Sequence, residues 1–390
     1  MKSLLIVLMI FLFSVEASGQ YTSVSVPVLD ESMNSRNFAL GNSLVSFTHN
    51  SLGSYLNPAS LDHEGLPTLG YFLHENDGIS RYFKTRTQNI YAGFSAGKFN
   101  IALNYLDFRN VFDDEASIFY EPFRDNVLKL STAYIFDNGL RAGIGLSYLK
   151  SDIGDNQIYA DREYIPATSF FVDLGVQYQK VYQKGEDWKL TPSFGTALTN
   201  FGQSVSYYDD EDTDPLPARL KIGTGLAVEY GEEIFGMKSV RVLGSFAVSK
   251  LMVRQEKKAI ENNGQSDTVY VAMNAFEALY RSWGTYTWYD GISYQEASLG
   301  EQLMFHSGIE VVFLETLALR FGYQKASEVN FPYTVQTGGF GIDLGYLAFD
   351  YTRFYYPKGR LSEKGNTWNI TARIPLGGNK PKSILNQFFN

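Results

Sequence analysis

Asn138-Gly139-Leu140-Arg141-Ala142-Gly143-Ile144-Gly145-Leu146-Ser147-Tyr148 is the stretch that decides the fold. Leu140, Ala142, Ile144, Leu146 and Tyr148 fall on one face of an extended segment, and Arg141, Gly143, Gly145 and Ser147 fall on the other. A period of two is the pattern of a strand with one apolar face. Asn138-Gly139 ahead of it is a hairpin signal, because both residues tolerate the positive φ of a type I′ turn. The preceding segment alternates in the same way, with Leu128, Leu130, Tyr134 and Phe136 against Lys129, Ser131 and Ala133. The pattern returns with Leu220, Ile222, Leu226 and Val228 against Lys221, Gly223, Gly225 and Glu229. Leu317, Leu319, Phe321 and Tyr323 oppose Ala318, Arg320 and Gly322.

Extended along the chain, this reading predicts strands at 67–75, 88–96, 98–107, 126–137, 139–150, 168–183, 187–199, 217–230, 238–250, 301–314, 316–323, 334–344, 346–356 and 366–376. Short turns fall at Gly97-Lys98, Asn138-Gly139, Lys184 to Asp187, Tyr230 to Met237, Glu315-Thr316 and Gly345. They alternate with long loops at 76–87, 108–125, 151–167, 200–216, 251–300, 324–333 and 357–365. A soluble sandwich has no reason to alternate loop lengths in this way. An outer-membrane barrel does: it has short periplasmic turns, long external loops and strands of about ten residues. Closure also satisfies the backbone groups that lipid cannot. The expected fold is all-β, a 14-stranded antiparallel transmembrane β-barrel over 67–377. An even strand count places both termini on the periplasmic side. Aromatic residues near strand ends, such as Tyr134, Tyr148, Tyr230, Tyr323 and Trp368, suit the membrane–water boundary.

Composition agrees. The 390 residues include 27 Tyr, 29 Phe and 35 Gly, with 19% charged residues and a net charge of −9. That balance lacks the basic footprint of a nucleic-acid partner. The absence of cysteine excludes disulfides, thiolate metal sites and a lipidated cysteine. Met1-Lys2, the apolar run Leu4 to Phe13 and Ala17-Ser18-Gly19 read as a signal peptide over 1–19, with the mature chain starting at Gln20. The outer membrane of a Gram-negative bacterium is the expected location. Outer-membrane lipid is therefore a partner.

Residues 20–66 do not alternate. A short helix is expected from Ser35 to Leu40, with Ser32 or Ser35 accepting an N-terminal backbone N–H. Asn57-Pro58 is a turn signal, since proline fixes its own φ and pushes the residue before it out of the α region. A tail follows the last strand at 378–390.

With a barrel in view, SRNFALGNSLVSFTHNSLGSYLNPASLD (35–62) resembles the N-terminal signature of the FadL/TodX superfamily of outer-membrane barrels. It is nearest to the PorV/PorQ-like branch, through Ser35, Arg36, Leu40, Gly41, Tyr55, Asn57, Pro58, Ala59 and Leu61. LTPSFGTALTNFGQSVSYYDDEDTDPLPARLKIGTGLAVEY (190–230) resembles the same branch, as do LALRFGY (317–323) and GGFGIDLGYLAFDY (338–351). Leu40-Gly41-Asn42-Ser43 departs from the Gly-rich run usual there, and the tail departs from a chain that ends at its last strand. The resemblance implies a hatch in the lumen over 20–66. It implies either passive transport of hydrophobic compounds such as fatty acids, or service as a type IX secretion accessory that docks translocon or cargo.

No enzyme constellation stands out, and no cofactor is expected. His49, His63, His74 and His306 have no ligand spacing, so no metal site is read from them. Gly338-Gly339-Phe340-Gly341 lies within a strand, where it permits close approach. Lumen-facing charges, including Lys129, Asp173, Lys221, Glu229, Asp343 and Asp350, either brace barrel and hatch as ion pairs or receive a ligand. In the second case Arg141, Arg320 or Arg373 would grip a carboxylate headgroup. Asp209-Asp210-Glu211-Asp212-Thr213-Asp214 reads as a solvated acidic loop in preference to a calcium site. In the loop 251–300, Met273, Phe276, Tyr280 and Trp283 repeat at helical spacing, followed by Tyr286, Trp288 and Tyr289. Phe276, Tyr280, Trp283 and Trp288 are either a self-packed lid or a surface for a ligand or protein partner.

Overall fold

A computed structural model describes residues 24–80, 83–112, 123–154, 164–185, 187–208, 213–234, 237–262, 265–289, 293–327, 329, 334–356 and 364–375. The expected signal peptide (1–19), residues 209–212 of the acidic run and the expected tail (378–390) lie outside the described residues.

Fourteen strands form the wall. They are β1 (Thr68–Ser80), β2 (Phe83–Ala96), β3 (Phe99–Phe112), β4 (Arg124–Ile135), β5 (Leu140–Asp152) and β6 (Ala167–Gln179, resumed at Tyr182–Lys184). There follow β7 (Trp188–Gly202), β8 (Arg219–Ile234), β9 (Met237–Leu251), β10 (Leu303–Phe313), β11 (Leu317–Lys325), β12 (Val335–Asp343), β13 (Leu347–Tyr355) and β14 (Lys364–Arg373). Each pairs antiparallel with its sequence neighbours. β1 pairs with β14, from Thr68 opposite Arg373 to Asn76 opposite Gly365, and this closes the barrel.

The chemistry is inverted relative to a soluble protein. Leu130 is 51% exposed, whereas its neighbour Lys129 is 1% exposed. Leu128, Ile144, Leu146, Phe170 and Leu174 also point outward, while Ser131, Ser147 and Asp173 are buried inside. An apolar outer belt around a polar, filled lumen is what a bilayer demands of a closed sheet.

Three local expectations are corrected. Only Gly139 of the Asn138-Gly139 pair has positive φ, at 86°. Phe136 N–H donates to Leu140 O and Gly139 N–H to Phe136 O, so residues 136–139 make a longer turn that ends in a left-handed glycine. Type I′ geometry occurs instead at Leu314-Glu315, with φ of 49° and 48°, one residue before the expected turn. Much of the predicted loop 76–87 is strand, because β1 and β2 stay paired out to Ser80 and Phe83.

Residues 24–66 lie inside the barrel as three single 3-10 turns and one short helix, α1 (Ser35–Ala39). Asn34 caps α1, its side chain accepting from Asn37 N–H; neither Ser32 nor Ser35 does so. Ser35 is the first helical residue, and its hydroxyl meets Thr352 and Thr367 of the wall. The long connection between β9 and β10 carries a hairpin (Gln255–Asn262 with Gln265–Ala272), a helix α2 (Ala275–Arg281) and a second hairpin (Tyr286–Tyr289 with Tyr294–Ala297).

Candidate functional site

The hatch is seated in notches cut into the wall. Asn57 Oδ1 accepts from Ala59 N–H at 3.0 Å, which shapes the Pro58–Ser60 turn. Its Nδ2 donates to Val45 O at 2.8 Å and to Val176 O of β6 at 3.3 Å. That side chain fits because β6 offers Gly175, where an added Cβ would lie 1.9 Å from Asn57 Oδ1. Gly143 of β5 does the same for Pro58 and Ala59, at 2.3 Å. Further round, Gly195 of β7 faces Val45 O at 2.3 Å, Gly308 of β10 faces Leu40 O at 2.5 Å, and Gly322 of β11 faces Gly41 N at 2.1 Å. Gly41 has φ +63°, with Tyr323 and Ser307 backbone within 2.7 Å of any Cβ, so it has no room for another residue. The motif residues Leu40, Gly41, Asn57, Pro58 and Ala59 are thus wall contacts.

Ion pairs add to the seating. Arg36 of α1 grips Glu310 of β10 through two bonds of 2.8 Å. Glu310 is fully buried and also receives Arg320 at 2.7 Å and Arg241 at 3.2 Å. Arg320 continues to Asp350 at 2.5 Å. Arg141 reaches the hatch at Asp62, 2.7 Å, and Leu61 O, 3.2 Å. Arg373 holds Asp343 through two 2.8 Å bonds and also donates to Gly345 O. Lys129 pairs with buried Asp173 and lies 4.5 Å from the centre of the Tyr55 ring. The three candidate headgroup arginines therefore each hold protein carboxylates.

Burial perturbs the hatch's own titratable groups. Burial, and then the Arg36 charge, hold His49 down to about 3 from the ordinary 6.5. Burial also lowers His63, which bonds Ile101 O through Nε2. His306 lies between Ser249 and Gly41 O. Among the described residues, no group of three His, Asp or Glu has the spacing to hold a metal ion.

Among the described residues the hatch packs closely against the wall. Val28, Leu29, Met33 and Leu52 of the hatch pack against Phe72, Tyr91, Leu106, Val127, Leu149 and Phe171 of β1 to β6. A cavity beside the hatch, lined by Asp30, Glu31, Asn37, Asn42 and Lys221 among others, holds about 30 Å³. That is room for one or two waters.

The larger space lies at the long-loop rim. Phe201, Leu216, Met252, Met273, Ala275 and Phe276 line a mostly apolar cavity of about 350 Å³ between the tops of β7 to β9 and α2. Asn274 caps α2 by accepting from Phe276 N–H at 3.0 Å. The register of β6 and β7 shifts between Val172 and Leu174, where Asn200 takes a left-handed φ of 56°. This bulge leaves Phe201 opposite Val172, and the Phe201 ring meets Phe276 edge-on at 5.0 Å. Buried Arg254 ties the loop together, donating to Ser282 O at 2.6 Å and Gln302 at 2.8 Å beneath the Tyr286 ring. Tyr280 is 67% exposed, and Trp283 is half-buried with Lys250 Nζ 5.5 Å from its ring centre. Trp288 lies in the second hairpin; its side chain is outside the described residues.

The wall glycines and Glu310 seat the hatch, a role that the sequence reading passed over. Glycine recurring at inward positions of several strands was the available signal, since a strand glycine marks close approach of another chain segment.

Fold and lumen together define a plugged transmembrane β-barrel. Solved structures similar to this chain include the Ralstonia pickettii toluene transporter TbuX, with a TM-score of 0.49 and 11% identity over 88% of this chain and 99% of that one. The Pseudomonas putida toluene transporter TodX matches with a TM-score of 0.45 and 11% identity over 91% and 98%. A Pseudomonas aeruginosa FadL homologue matches with a TM-score of 0.41 and 9% identity over 88% and 98%. No family model and no curated protein matches the chain.

Proposed function

We propose that this chain is a non-enzymatic barrel of a Gram-negative outer membrane, termini periplasmic, that captures a small hydrophobic compound at its long-loop rim and passes it inward without an energy source. The rim cavity of about 350 Å³ carries the reading. Small-molecule sites begin at roughly 300 Å³, are mostly apolar and have a few polar groups at the edge. Phe276 would form one wall of the site, with Tyr280, Trp283 and Trp288 as outer contacts. The seated hatch blocks a straight route, so passage requires part of it to shift. Arg141, Arg320 or Arg373 would meet a carboxylate headgroup only when such a shift frees it from its present partner.

A second reading, a PorV/PorQ-like barrel that docks type IX translocon or cargo, is favoured by the tight seating of the hatch and by the two hairpins of the 251–300 loop. One comparison separates the two. Binding of a fluorescent fatty-acid analogue to the full-length barrel in detergent is measured beside Ala278→Trp, which fills the cavity. Transport predicts loss of binding by about tenfold or more in the variant, equivalent to ~1.4 kcal/mol, with the folded barrel's heat-modifiable gel mobility retained. Equal binding by both proteins would overturn the cavity assignment. No binding by either, with a translocon subunit recovered from native membranes, would favour docking.

A further inference from the structure

The outer face of β1 to β5 changes character towards the long-loop rim. Tyr105, Leu128 and Tyr148 are exposed there as the upper part of the apolar belt. Four residues further up β3, Arg109 stands directly opposite Arg86 of β2 and Arg124 of β4. Glu75 faces Arg86 from β1, and Asp152 faces Arg124 from β5. Three guanidinium groups therefore sit side by side on adjacent strands, with side chains 41%, 43% and 53% exposed for Arg86, Arg109 and Arg124.

Like charges directly opposite one another weaken a sheet. The protein's own carboxylates answer this only in part. Asp107, one position inward on β3, takes Arg109 at 3.1 Å, Arg124 at 2.5 Å and Asn126 at 2.9 Å. Its oxygens are thus shared among three donors. Arg86 has Glu75 at 3.5 Å, beyond a good hydrogen bond. Each guanidinium carries five N–H donors, and all three side chains keep an exposed part.

We infer that this arginine row binds the phosphate of a phosphorylated glycolipid in the membrane leaflet that meets the long-loop rim. Height supports this occupant: the row begins where the aromatic and aliphatic belt ends, which is the level of headgroups. Geometry supports it as well. Directly opposite residues on neighbouring strands have Cβ atoms about 5 Å apart, so one phosphate spans two guanidinium groups, and such pairs are bidentate and strong. Bound phosphate adds acceptors to those of Glu75 and Asp107, and the barrel gains an annular lipid with a fixed place on β2 to β4.

The test is native mass spectrometry of the full-length barrel in detergent with added bisphosphorylated lipid A, using dephosphorylated lipid A as comparator. Wild type is expected to retain the phosphorylated lipid, and the triple variant R86Q/R109Q/R124Q to retain about tenfold less, in keeping with loss of charge-assisted bonds. A control with the same charge change on the short-turn side, K98Q/K184Q/K189Q, is expected to behave as wild type. Equal retention by the triple variant, or equal retention of the dephosphorylated lipid, overturns the proposal. If the triple variant lacks the heat-modifiable mobility of a folded barrel, Arg109→Gln alone is expected to lower retention about threefold, and an unchanged value overturns the proposal.

Discussion

His49 couples the hatch to pH. The free imidazole takes a proton near 6.5, but in the folded protein burial and the nearby Arg36 charge hold that back to about 3. The unfolded chain therefore binds more protons throughout this window, and the stability of the seated hatch falls as pH drops from 6.5 towards 3. At pH 4.5 the loss from this group is about 2–3 kcal/mol. Limited proteolysis of the hatch should accelerate between pH 7 and pH 4.5, and His49→Asn should reduce that acceleration. Equal pH sensitivity of the two proteins would refute the assignment. Glu310 sits in the same network with three guanidinium groups around one fully buried carboxylate. Nothing near Glu310 in sequence suggests this, because its partners come from α1, β9 and β11.

At the scale of elements, the notches make a sharp mutational statement. An added methyl at Gly175 would occupy the place of Asn57 Oδ1 and break that side chain's bonds to Val45, Val176 and Ala59. Gly175→Ala is expected to cost about 1–3 kcal/mol, the usual cost of overpacking, and to loosen the hatch before the wall. Hydrogen exchange should show faster exchange in residues 40–63 with β6 little changed. Gly244, whose Cβ would meet nothing within 4 Å, is the matched control. The strands themselves were legible because lipid outside and polar lumen inside give the two faces opposite chemistry along the whole crossing. Legibility fell where that contrast ends. Beyond Leu73, β1 and β2 carry Glu75 and Arg86 on the outward face, so the period-two signal vanishes although pairing continues. The turn at residues 136–139 was misread for a different reason: Asn138-Gly139 permits two geometries, and the bond from Phe136 to Leu140 selects the longer one.

For the whole molecule, the hatch motif was visible as a set of residues but not as a fit, since its seats are scattered from Gly143 to Gly322. The rim cavity was half visible. Phe276 stood out by helical spacing, whereas Phe201 reaches the cavity only through the bulge at Asn200. The order of these parts along the chain constrains assembly. The hatch precedes every strand, yet Arg36 meets β10, and Ser35 meets β13 and β14. Seating after β1 has joined β14 would require residues 24–66 to enter a closed lumen from one end, whereas the open sheet offers every seat directly. The hatch is therefore expected to lie against the growing sheet before the seam zips shut, serving as a mandrel around which the wall is wound. A chain lacking residues 24–66 should then form open or misregistered sheets. Its refolding into detergent, followed by gel mobility, should yield far less closed barrel than the full chain. Closure in equal yield would show that the wall winds without a core.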